Sequence, residues 1–143
     1  YIYKYTLIIP HPYKLKDAKY WIVRCIKLSK NKNRTSENFA IIINDEVVGG
    51  IGLDNIDNHK GEIGYWLARK LWNHGVITEA IKVVTNFGFR KLKLRRIYAY
   101  VVFNNKSSIK VLQKNGYKLE GIMRKHHFRD NKFMDIMIYA KTK

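Results

Sequence analysis

The chain has 143 residues, 46% of them apolar, enough for a single domain around one core. Its one cysteine excludes an intramolecular disulfide framework and a Cys-rich zinc site, and no window reaches the roughly 20 apolar residues that a membrane-spanning helix needs. With 28 Lys and Arg against 11 Asp and Glu, the formal charge is +17, which favours anionic partners such as nucleic acid, phosphorylated cofactors or ribosomal surfaces. Lysines occur in every segment, so the charge alone does not choose among these and is equally that of a solvated basic surface.

Gly, Pro and Ser nowhere cluster into a linker, and there is no low-complexity segment or fixed-period repeat. One domain over residues 1–143 is expected. The start of the chain lacks the apolar core of a signal peptide, which points to the cytoplasm.

Residues 1–5 are expected to supply at most one short strand. Leu15, Ala18, Ile22, Cys25, Ile26 and Leu28 fall near a 3.6-residue period and predict a helix over 15–28, with Trp21 turned inward. Cys25, beside Trp21, Ile22 and Ile26, reads as a small core hydrophobe rather than a nucleophile. A polar loop over 29–38 precedes two β-branched runs, 39–43 and 47–53, which the turn Asn44-Asp45-Glu46 joins into a hairpin. A third strand is expected over 60–68.

Ile77, Ala80, Ile81, Val84, Phe87 and Gly88 mark one face of a helix over 76–91. Residues 96–103 alternate as a strand that is apolar on both faces, which suits a central position. A short helix over 106–114 ends at Asn115-Gly116, and closing strands over 117–124 and 132–140 meet through Arg129-Asp130-Asn131. The order is helix, three strands, helix, strand, helix, two strands. That predicts a layered α/β domain with a mixed sheet: hairpin strands pair antiparallel, and the strand-helix-strand stretch allows one parallel pair.

The chemistry is expected between residues 65 and 80, where an aromatic-rich strand gives way to a helix through Trp72-Asn73-His74-Gly75. The start of a helix presents unpaired N–H groups and the positive end of its dipole, so it can hold a diphosphate without a dedicated side chain. Gly75 allows close approach, and Asn73 tolerates a positive φ. A plain strand-to-helix turn is the competing reading. His126 and His127 are adjacent on a strand and face opposite ways, which argues against a metal site.

Glu62-Ile63-Gly64-Tyr65-Trp66-Leu67, Trp72-Asn73-His74-Gly75, Thr78-Glu79-Ala80, Asn105-Lys106-Ser107-Ser108-Ile109 and Asn115-Gly116-Tyr117 occur in a fixed order. In this combination the chain resembles the Gcn5-related N-acetyltransferase superfamily, and within it the ribosomal-protein alanine N-acetyltransferases. The likeness runs from about Leu15 to the C-terminus and includes Arg129-Asp130 and Asp135-Ile136-Met137-Ile138-Tyr139. It implies a mixed central sheet with helices on both faces. Members of that family usually begin with a further strand and helix, so part of that unit is expected to be missing here.

The resemblance also implies an acetyl-CoA clamp and no metal. Backbone N–H groups of Trp72, Asn73, His74, Gly75, Val76, Ile77 and Thr78 would take the pyrophosphate, and Leu67 and Ala68 the pantetheine and thioester. Asn105 and Ser108 would face the sulfur. The usual diphosphate signature is altered: Ile77 stands where a small residue is customary, close to the phosphates, and Asn73 where the ribosomal branch has Gly. Leu112 occupies the position of the tyrosine acid of many superfamily members, so the resemblance moves that role to Ser108, with Tyr117 as the weaker candidate. Ser108 has an alternative reading as a first-turn residue that satisfies a backbone N–H.

Transfer requires a neutral amine, a polarised carbonyl and a departing thiolate. Glu62 could take the ammonium proton if partial burial raises its pKa, or be an ordinary strand carboxylate. Backbone N–H groups near Leu67 could receive the oxyanion. The expected acceptor is a protein N-terminal α-amine, with polyamine or aminoglycoside acceptors as an alternative. A third reading is a non-catalytic basic module that binds RNA or the ribosome. The sequence does not decide between a monomer and a homodimer.

Overall fold

The computed structural model describes residues 2–143, and its elements follow the local chemistry of the chain. β1 (Glu37–Ile43) and β2 (Glu46–Asp57) pair antiparallel through a turn in which Asn44 and Asp45 both have positive φ, 50° and 61°. Short polar side chains tolerate that region better than most L-residues, so the polar insert between two β-branched runs makes the hairpin. β3 (Lys60–Leu67) returns antiparallel to β2 after a turn through Asn58. A 3₁₀ turn over Arg69–Leu71 leads to α3 (Val76–Arg90), which carries the chain across to β4 (Arg96–Val102), parallel to β3.

α4 (Lys106–Lys114) then precedes a long hairpin of β5 (Lys118–Arg129) and β6 (Lys132–Thr142), turned by Asp130 and Asn131 at φ 51° and 56°. The result is one six-stranded sheet of order β1-β2-β3-β4-β6-β5, mixed as the element order predicts. β5 bulges between Met123 and His127, where Lys125 has a φ of 50° and donates its N–H to the Asp135 carboxylate at 2.7 Å.

α3 and α4 share one face of the sheet. Ile81 and Val84 of α3 and Leu112 of α4 belong to the same buried cluster as Leu53, Ile63 and Ile97 from the strands. The close helix-sheet approach depends on Gly88, where a Cβ would come within 2.8 Å of Ile97 Cδ1 and 3.0 Å of Leu53 Cδ1. Side chains alternate along a strand, so Asp54, Glu62 and Tyr98, out of phase with Leu53, Ile63 and Ile97, project to the opposite face. α2 (Leu15–Ser29) lies on that side: its Arg24 and Leu28 line a cavity of about 430 Å³ together with Ser36, Asp54 and Tyr98.

Three expectations need correction here. Residues 2–5 form one helical turn, α1 (Ile2–Tyr5), rather than a strand, while Tyr1 lies outside the described residues. Arg129 fixes that turn by donating to the carbonyls of Thr6 and Lys4, at 2.6 and 3.1 Å. α2 buries no residue fully, and only part of its predicted row faces inward: Ala18, Cys25 and Leu28 are half-buried, with Trp21 turned inward as expected, whereas Leu15 is 71% exposed, Ile22 57% and Ile26 49%. Trp21, Arg24, Cys25 and Leu28 form the half-buried side of a helix that meets β1, with Arg24 and Leu28 lining the cavity. Cys25 is therefore half-buried rather than core, although burial still raises its thiol pKa, with Arg24 opposing.

Candidate functional site

The site begins where two parallel strands part. β3 and β4 share rungs at Lys60–Arg96, Gly61–Ile97 and Glu62–Tyr98, and beyond Glu62 neither strand meets the other again. β3 runs on to Leu67 still paired with β2, so its other edge faces a gap. Ala68 donates its N–H to the Val48 carbonyl at 2.7 Å. In an antiparallel ladder this alternation turns the N–H and C=O of Leu67 away from β2, toward the gap. The Leu67 carbonyl accepts from Trp72 Nε1 at 2.9 Å. Of the two residues expected beside a thioester, Leu67 thus presents its N–H to the opening, whereas Ala68 is committed to β2.

At the far end of that gap α3 starts. Asn73 has a φ of 64° and Gly75 a φ of 80°, and Gly75 has open space where a Cβ would stand. The first intrahelical bond runs from Glu79 N–H to the Gly75 carbonyl at 3.1 Å, so the N–H groups of Val76, Ile77 and Thr78 precede it and point out of the helix start. His74 is exposed, with Nδ1 2.7 Å from the Trp72 carbonyl. Fifteen helical residues stand behind this end, so their aligned dipoles add positive potential where an anion would sit. Ile77 packs against the buried core, so its branched side chain belongs to the helix-sheet interface.

α4 is tied to the same place. Asn105 caps it by accepting the Ser108 N–H on Oδ1 at 3.2 Å, which frees the Ser108 hydroxyl from a capping role. That hydroxyl lies 2.6 Å from the hydroxyl of Tyr65 on β3. At the other end of α4, Asn115 donates to the Thr78 carbonyl in the first turn of α3 at 3.1 Å, and to the Val111 carbonyl at 2.9 Å. The start of α3 and the end of α4 are therefore tied together.

Tyr117, the weaker acid candidate, is only 2% exposed, and its hydroxyl is 2.8 Å from Thr85 Oγ1 of α3. Burial pushes its pKa up to about 12 against the opposing Thr85 hydrogen bond. It is bonded into the core rather than to Ser108. Glu62 stands on the other face of β3, half-buried, accepting from Asn55 Nδ2 at 2.8 Å. Burial raises its carboxyl pKa, the Asn55 bond opposes this, and Asp54 adds to it. Tyr98 and Tyr100 meet edge to face at 5.5 Å, with the His126 ring 6.5 Å from Tyr100.

Tyr65, Asn55 and Tyr98 are site neighbours that the sequence reading passed over. One signal for Tyr65 was available: alternation places it with Ile63 and Leu67 on the buried face, where a phenol needs a partner. The contact of Asn55 with Glu62 depends on an irregularity in the β2–β3 register between Asp54 and Asp57, which no periodicity announces.

Fold and site together define an α/β protein in which two parallel strands part beside a helix start whose first N–H groups lie outside the helical hydrogen bonds. Residues 2–118 match the acetyltransferase (GNAT) domain family, and the chain belongs to it. It is 35% identical over 112 residues to an uncharacterized N-acetyltransferase, p20, of Bacillus licheniformis, covering 76% of this chain and 63% of that protein. It is 30% identical over 105 residues to the ribosomal-protein-serine acetyltransferase of Escherichia coli strain K12, covering 72% of this chain and 59% of that one. The fold superposes on Mycobacterium smegmatis RimJ, solved in complex with CoA-disulfide, with a TM-score of 0.84 at 24% identity, over 96% of this chain and 68% of that one. The chain spans about six-tenths of the length of the relatives it matches. Among the described residues, no helix is long and apolar enough to cross a membrane.

Proposed function

We propose that this chain carries an acetyl-CoA-dependent N-acetyltransferase activity, with the thioester in the gap between β3 and β4. The observation that carries this reading is the position of Glu62 and Ser108 on opposite faces of the sheet, one on each side of the place where the strands part. The N–H groups of Val76, Ile77 and Thr78 hold the pyrophosphate at the start of α3. The Leu67 N–H receives the oxygen of the carbonyl under attack.

On the α2 side, Glu62 accepts the ammonium proton, directly or through one water, and the neutral amine attacks the thioester carbon. Burial moves its pKa upward, the direction that favours its taking a proton. When the C–S bond breaks, Ser108 gives its hydroxyl proton to the departing sulfur on the α4 side, while the nitrogen, positively charged after attack, releases its second proton to solvent to leave the neutral amide. Tyr117 is the second candidate for that proton, and its bond to Thr85 makes it the poorer one.

The acceptor is read as the α-amine of a protein N-terminus. That reading rests on the similarity to a ribosomal-protein-serine acetyltransferase, and the charge of +17 suits approach to a ribosomal surface in the cytoplasm. An array of peptides with free and blocked N-termini, incubated with labelled acetyl-CoA, tests it. Label on free α-amines and not on their blocked counterparts is expected. Label confined to lysine side chains or to free polyamines would redirect the acceptor assignment.

A further inference from the structure

Ser108 is not an isolated hydroxyl. Its oxygen lies 2.6 Å from Tyr65 Oη, its own N–H is taken by the Asn105 cap, and Tyr65 stands on β3, the strand that forms one wall of the gap. We propose that Tyr65 is a positioning residue for acetyl transfer: its phenol donates to Ser108 Oγ and so turns the serine's own hydrogen toward the sulfur of the donor thioester.

The chemistry of the pair sets this direction. Two hydroxyls at 2.6 Å share one hydrogen between them, so whichever oxygen donates has no hydrogen left for a third group. If Ser108 donated to Tyr65, the serine could not protonate a thiolate without first breaking that bond. With Tyr65 as donor, the serine hydrogen is free to point into the gap and its oxygen is already polarised. Burial raises the tyrosine pKa well above its usual value, although the bond to Ser108 opposes the shift, so the phenol keeps its proton throughout the working pH range. At the sulfur end it is the serine proton that moves: it forms the S–H bond as the C–S bond breaks, and solvent, which takes the second proton of the acylated nitrogen, returns one to the serine.

The alternation of β3 gives the strand a double function. Glu62 projects to the α2 face and Tyr65, three residues on, to the α4 face, so a single strand places the base and orients the acid on the two sides of the gap. Asn115, by joining α4 to the start of α3, keeps Ser108 in register with the anion-binding end.

This inference rests on the acetyltransferase reading and is tested by a double-mutant cycle on the purified chain with acetyl-CoA and an acceptor peptide. Tyr65→Phe keeps the ring and removes only the hydroxyl. The expected result is a fall in kcat of about tenfold with the KM for acetyl-CoA changed less than twofold, since orientation of the acid matters in the transition state and not in binding. Ser108→Ala should lower kcat further, and Tyr65→Phe added to Ser108→Ala should cost nothing more. A wild-type kcat in Tyr65→Phe, a loss that appears in KM, or additive losses in the double variant would overturn the positioning role while leaving acetyl transfer intact. Absence of transfer by the unaltered chain would overturn both readings.

Discussion

Glu62 and Tyr98 form the last shared rung of β3 and β4, and the gap that defines the site opens immediately beyond them. Their side chains stand on the α2 face, and the carboxylate there is held by Asn55 and lifted by burial. An acid whose pKa is raised on folding binds its proton more tightly in the folded than in the unfolded chain. Its contribution to stability is therefore greatest at acid pH and declines as pH rises through the folded value.

Glu62→Gln tests both consequences. The amide oxygen can keep the Asn55 contact while the buried charge disappears, so the variant should unfold at a temperature no lower than the parent's at neutral pH. Its kcat/KM should fall about 100-fold, with acetyl-CoA affinity unchanged within twofold. The acidic limb of the parent's pH–rate profile should be displaced upward from that of an unburied glutamate and be absent in the variant. A profile and rate like the parent's would remove Glu62 from the mechanism.

Ser108 and Tyr117 are separated by their partners. Tyr117→Phe should lower stability by about 1–2 kcal/mol, because Thr85 is left buried without its hydrogen-bond partner, while kcat stays within about threefold of the parent. Ser108→Ala should do the reverse, with kcat down by about 100-fold and little change in the unfolding midpoint. Thermal unfolding and steady-state rates measured on both variants decide which hydroxyl serves the thiolate.

Most of the architecture was legible because it is local. The helix predicted over 106–114 matches α4 residue for residue, since Asn105 and Asn115-Gly116 bracket an unbroken helical run. The hairpin at Asn44-Asp45 and the parallel β3–β4 pair followed from turn chemistry and from the crossover helix. β2 and β5 extend several residues further than predicted, because their distal halves are polar strands stabilised by pairing rather than by alternating burial. The orientation of α2 was legible only in part: Trp21, Cys25 and Leu28 face inward as expected, but the apolar residues spread round more than one side of the helix, and only the tertiary arrangement leaves Leu15, Ile22 and Ile26 outside. The Tyr65–Ser108 contact spans 43 positions in sequence and depends on the α3–α4 packing.

Ile77 shows how a sequence departure can change meaning in three dimensions. It stands where a small residue was expected beside the phosphates, yet its side chain packs against the core. Ile77→Ala should therefore lower stability by about 1–2 kcal/mol, as expected for trimming a half-buried aliphatic side chain, and leave the dissociation constant for acetyl-CoA within about twofold. An affinity gain of tenfold or more would instead place the side chain against the ligand. Chemical denaturation and calorimetry on the same preparation give both numbers.

The start of α3 accounts for its anion-binding potential through backbone N–H groups and the left-handed geometry at Gly75. Gly75→Val leaves the helix N–H groups in place but strains a residue at a φ of 80°, which should cost at least about 1 kcal/mol and disturb the loop that aims them. A loss of acetyl-CoA affinity of at least tenfold is expected, measured by calorimetry. Undiminished affinity would move the pyrophosphate away from this helix.

The most direct test is titration calorimetry of the unaltered chain with acetyl-CoA. Saturable binding at one site per chain, with a dissociation constant below about a millimolar, is the predicted result. No binding of acetyl-CoA or CoA in that range would contradict the assignment of the gap between β3 and β4 as a cofactor clamp.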